Sequence, residues 1–152
     1  MAWTVAAIDP LTGSRELLVE VHPDMGEVTD ATLHPFAERL FHRNVRVGLV
    51  VTPAQTVVLR DTLSSMQFVD NRYALARLDT DVLMRHARLG GPRSGEHFLS
   101  QVVTWLEAVG SSWYTFLHES AVQAMVPDVV GNLAGATLET WEGLLESHDA
   151  AE

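Results

Sequence analysis

The sequence predicts an α+β domain in which a small mixed sheet is followed by a helical C-terminal half. Three observations lead there. Two runs rich in β-branched and large apolar residues, Trp3–Ile8 and Glu16–His22, flank the turn-forming cluster Asp9-Pro-Leu-Thr-Gly13-Ser and predict a β-hairpin. The near-continuous apolar run Val45–Val51 has the character of a strand buried on both faces. Beyond residue 94, apolar residues recur at helical spacing. A chain of 152 residues, 47% hydrophobic and 20% charged, is expected to form one domain over 1–152 with a sizeable core.

Each element has its own local reason. In the second strand, alternation puts Leu17, Val19 and Val21 on one face, and Glu16, Leu18, Glu20 and His22 on the other. Pro23-Asp-Met-Gly26 breaks that strand. Thr29 or Asp30 caps a helix to about His42, with Leu33, Phe36, Ala37 and Leu40 as its apolar stripe. Pro35 is compatible with this helix if it sits in the first turn. Thr52-Pro53 ends the buried strand, and Gln55–Arg60 returns as another, followed by a loop over Asp61–Gln67. Val69–Leu78 is ambiguous, and Thr80–Leu89 reads as a short helix ended by Gly90-Gly91-Pro92. Ser94 caps a strong helix over 95–109, and further helices are expected at about 113–125 and 137–148. The order is strand-strand-helix-strand-strand, a sheet-forming core over 1–68, then a mainly helical half over 69–152.

Composition narrows the chemistry. All ten basic residues are arginine and none is lysine, so Schiff bases, P-loops and nuclease motifs that use a lysine are excluded. The absence of cysteine excludes disulfides, thiolate nucleophiles and cysteine metal sites. The formal net charge of −10 is unevenly spread. Residues 39–93 carry nine arginines against four aspartates, between two acidic flanks. The basic middle, with Arg39, Arg43 and Arg46 as its candidate contacts to nucleic acid or a protein partner, could meet nucleic acid, but the overall charge favours pairing of the basic and acidic parts with each other or with a second subunit. The N-terminus lacks the basic start of a signal peptide, and no apolar run approaches a membrane span, so a cytoplasmic protein without membrane contact is expected.

Three stretches carry a resemblance. Leu17-Leu-Val-Glu20-Val-His22-Pro, Thr32-Leu-His-Pro-Phe36-Ala-Glu-Arg-Leu40 and Val47-Gly-Leu-Val-Val-Thr52-Pro-Ala-Gln-Thr-Val-Val-Leu-Arg60-Asp-Thr together resemble the second core strand, the following helix and the next strand pair of the PD-(D/E)XK nuclease-like, or restriction-endonuclease-like, fold. The likeness covers about residues 3–62. It implies two acids on adjacent strands holding a divalent metal, with a lysine two residues beyond the second acid. Here Glu20 takes the acid position and His22 the lysine position. The hairpin is expected to place Ala2 or Trp3, and no acid, opposite Glu20. The resemblance thus implies a degenerate, non-catalytic member acting as a protein-binding or assembly module, with no cofactor expected and Glu20 and His22 on a half-exposed sheet face. The alternative is a metal-dependent nuclease in which Glu20 and His22, with Asp24 or Asp9 as a further acid, hold Mg or Mn through Glu20. A further alternative is an acidic regulator that occupies an arginine-rich partner surface.

The remaining motifs read as structural. The seven histidines form no zinc motif, and His34 and His42 lie eight apart on one helix. Asp79-Thr-Asp81 reads as a helix cap more readily than as a metal-binding acid pair. No nucleophile elbow or phosphate-cradling glycine loop occurs. Trp113 and Tyr114 are adjacent and cannot both face the same core on a helix, which leaves room for one exposed aromatic, but the spacing of the C-terminal aromatics favours a core reading.

Overall fold

The computed structural model describes residues 1–62, 73–126 and 128–145. A six-stranded mixed sheet of order β5-β4-β3-β2-β1-β6 separates two layers of helix. Strands β1 (Trp3–Ile8) and β2 (Arg15–Val21) form the antiparallel hairpin, with a register irregularity between Ala7 and Ile8. Helix α1 (Asp30–His42) then crosses to β3 (Val47–Val51), which lies parallel to β2. Strands β4 (Gln55–Asp61) and β5 (Tyr73–Asp79) extend the sheet antiparallel on that side. The expected strand-strand-helix-strand-strand order is present. Val69–Leu78 resolves as β5 within the described residues, while the expected loop beyond Thr62 falls outside them.

The alternation in β2 sorts side chains as anticipated. Leu17, Val19 and Val21 join one buried cluster with Phe98, Trp105 and Val109; Leu18 joins the other with Phe36, Leu40 and Val50. In β3, Val47, Leu49 and Val51 serve the first cluster while Val50 serves the second, so the strand is buried on both faces. Gly48 sits where α1 presses closest: a Cβ there would lie 2.6 Å from the Phe36 ring. The β3–β4 turn is organised by Thr52, whose buried hydroxyl donates to the Gly26 carbonyl at 2.6 Å and accepts from Gln55 N at 2.9 Å.

Helix α1 begins after Thr29, whose carbonyl, not its side chain, accepts from Thr32 and Leu33. Pro35 lies in the second turn, one turn later than expected. The carbonyl that its missing N–H would serve belongs to Ala31, which is exposed and can bond water. The helix ends in a left-handed cap: Asn44 takes φ 56°, its N–H donates to Phe41, and Val45 N–H donates to Leu40.

On the other face lie α2 (Thr80–His86), α3 (Gly95–Phe116), a 3₁₀ turn (Glu119–Ala121), α4 (Val122–Met125) and α5 (Asp128–Leu133). Helix α3 outruns the expected 95–109, continuing through a non-helical Ser112 to Phe116. The glycine-rich loop before it is pinned by buried Gln101, which accepts from Arg93 N and donates to the Leu89 and Gly91 carbonyls. No helix among the described residues is long and apolar enough to cross a membrane.

One expected element is overturned. Residues 137–142, expected as the start of a helix over 137–148, form the edge strand β6 (Thr137–Glu142), paired antiparallel with β1. Leu138, Trp141 and Leu145 fit a helical repeat, but β1 is a buried apolar strand with an open ladder, and pairing it outweighs the local pattern. The expected helical half therefore contributes two strands, β5 and β6, to the sheet.

Candidate functional site

Glu20 lies near the C-terminal end of β2 on the α1 face. The ladder sets Thr4 of β1 opposite it on one side and Val50 of β3 on the other. The residue facing Glu20 from β1 is thus Thr4, not Ala2 or Trp3. The Thr4 hydroxyl donates to the Gly143 carbonyl at 2.8 Å. Glu20 is only 2% exposed, which corrects the expected half-exposed sheet face. Burial of a carboxylate among apolar neighbours demands compensation. Arg39 supplies it from α1: its Nη1 donates to Glu20 Oε2 at 2.7 Å. Across the other oxygen, His22 Nε2 lies 3.2 Å from Glu20 Oε1. Arg39 Nε donates to the Leu145 carbonyl at 2.7 Å, so the segment beyond β6 closes over the pair.

The arrangement does not fit a two-acid metal site. Both carboxylate oxygens of Glu20 are engaged, and its β1 neighbour carries a hydroxyl. Asp24 pairs with the N-terminal amine at 3.2 Å, and Asp9 accepts from Leu11 N at 2.9 Å within the hairpin turn. Among the described residues no group of three or more histidines, aspartates and glutamates gathers to hold a metal. What this constellation does chemically is fix α1, β2 and the C-terminal segment to one another through charge-assisted hydrogen bonds.

At the other end of the strands lies a cleft of about 1100 Å³. Arg15 from β2, Arg43 and Arg46 beyond α1, and Arg60 from β4 line it, together with His42. The left-handed cap at Asn44 turns the chain so that Arg43 and Arg46 both reach this cleft. Arg43 is half-buried and Arg46 exposed. Four carboxylates, Glu16, Asp61, Asp128 and Glu139, also line the cleft, and Arg60 Nη1 donates to Asp128 at 3.3 Å. The three candidate contact arginines therefore separate: Arg43 and Arg46 face the cleft, while Arg39 is committed to Glu20 and Leu145.

The other singled-out residues take structural places. Asp79 accepts from Val82 N at 3.3 Å as an N-cap, and Asp81 pairs with Arg85 at 3.0 Å. His34 pairs with Glu38 at 2.8 Å on the exposed side of α1. Tyr114 is 75% exposed, whereas Trp113 packs on the core. The partners missed in the sequence are Arg39 and Leu145. A usable signal existed for the first: a glutamate at an otherwise apolar, doubly flanked strand position calls for a cation from the crossover helix. The second lies 106 residues from Arg39 and leaves no local trace.

No protein-family model, curated protein or solved structure matches this chain.

Proposed function

We propose that the protein is a non-catalytic binding or assembly module built on a PD-(D/E)XK-like sheet, with the cleft at the end of α1 as its partner surface. The observation that carries this reading is Glu20: the carboxylate in the family's acid position is buried, and both its oxygens are engaged by Arg39 and His22. A nucleolytic site needs that carboxylate open to a metal and its water. What supports a protein partner over nucleic acid is that the four arginines lining the cleft share it with four carboxylates, so that their charges balance.

The test is cleavage of DNA and RNA by the full chain with Mg²⁺ or Mn²⁺, beside Glu20→Gln. The expected result is no cleavage by either protein. Metal-dependent cleavage that Glu20→Gln abolishes would overturn the proposal in favour of a variant nuclease at Glu20 and His22.

A further inference from the structure

We infer that β6 and the segment after it exchange between two copies of the chain, so that Thr137–Leu145 of each completes the sheet of the other. This deepens the assembly part of the proposed function and rests on it. The segment is fastened so that it can leave as a unit. Among the described residues β6 is an edge strand paired with β1 alone, and most of its residues are exposed. Beyond its ladder, the hydrogen bonds among the described residues that hold the end run from Gly143 N–H to the Ala2 carbonyl, from the Thr4 hydroxyl to the Gly143 carbonyl, and from Arg39 Nε to the Leu145 carbonyl. Its anchors Trp141 and Leu145 are only partly buried. The spacing of Leu138, Trp141 and Leu145 is helical, so the extended form depends on β1 and not on local preference.

What β1 loses on departure decides the occupant. Trp3–Ala7 are buried, and without β6 they would present unpaired backbone groups along an apolar edge. A second copy carries a segment that matches every fastening: the same ladder register, a tryptophan to sit beneath Arg15, and a carbonyl for Arg39. The connection from α5 is three residues, Ala134–Ala136. Its exposed Gly135 has φ +74°, a left-handed turn that folds the segment back onto its own β1. Extended backbone at Gly135 sends the segment to a neighbour instead.

The absence of cysteine makes a clean cross-linking test possible. Ile8 and Thr137 are ladder partners, at a spacing a disulfide spans. An Ile8→Cys chain mixed with a Thr137→Cys chain, both full length, should form an interchain disulfide whose yield rises with concentration. Gly135→Ala in both chains should raise that yield about tenfold, because alanine disfavours the left-handed hinge while meeting no neighbouring atom. Light scattering that gives monomers, with no disulfide at any concentration even in Gly135→Ala, would overturn exchange. So would an equal yield from the out-of-register pair Ile8→Cys and Glu142→Cys. A monomer that cleaves no nucleic acid defeats exchange alone; a dimer with metal-dependent cleavage defeats the non-catalytic reading alone.

Discussion

Arg39 and Arg43 stand one turn apart at the end of α1, yet they serve two different regions of the molecule. Arg39, with its side chain 18% exposed, reaches up the sheet into the interior and is spent on Glu20 and Leu145. Arg43 turns with Arg46 into an open cleft shared with carboxylates from four other elements. The difference lies in what surrounds each charge. Inside, a single carboxylate in an apolar wall must be matched atom for atom, and the match locks three chain segments together. In the cleft, Arg43 keeps guanidinium nitrogens buried while Arg46 is exposed, and the half-exposed Arg60–Asp128 pair is screened by water and contributes little to stability. Identical chemistry thus yields a rivet at one end of the sheet and an open cleft of mixed charge at the other.

The sharpest way to break this comparison is Arg39→Met. It leaves the buried Glu20 carboxylate unpaired and the Leu145 carbonyl without its donor, and should cost about 3–5 kcal/mol in denaturant unfolding. Adding Glu20→Gln should recover part of that loss; a single variant as stable as the parent would show that the network is not a rivet. Next comes the seating of α1 itself. Gly48→Ala places a methyl group 2.6 Å from the Phe36 ring and should cost about 1–3 kcal/mol, with Phe36→Leu in the same chain relieving part of it. The cap that aims Arg43 and Arg46 is a smaller effect. Asn44→Gly should hold or slightly raise the melting temperature, while Asn44→Ala, forced to φ 56°, should lose about 1 kcal/mol. Arg46→Glu is the smallest, with stability expected to change by no more than about 0.5 kcal/mol in thermal unfolding. A loss of several kcal/mol of stability at Arg46 would erase the distinction between the two regions.

Much of the fold was legible because its signals are local. Alternation in Leu17–His22 predicted two opposite faces, and the two clusters separate Leu17, Val19 and Val21 from Leu18 accordingly. The helix over Asp30–His42 followed from its apolar stripe, and the doubly buried β3 from its unbroken apolar run. The candidate site was legible only in outline. Alternation set Glu20 and His22 on one face, but their exposure depended on Arg39, 19 residues away, and on a segment near the other end of the chain. Glu20 consequently looked available in the sequence and is enclosed in the structure. Ser112 is a different case: the local pattern suggested a break between two helices, and α3 passes through it as a kink.

By itself the sequence determined the chemistry this protein lacks and the faces its side chains take. Without lysine or cysteine no tertiary arrangement can create their reactions, and a period of two or 3.6 orients a residue wherever its element lies. Tertiary structure decided the rest, most clearly in Thr137–Glu142, where a helix-like pattern became a strand. The physical reason is that an unpaired edge on a buried apolar strand costs more than a modest local preference returns. The same holds for Glu20, whose burial and pairing depend on the cation that the crossover helix brings to it.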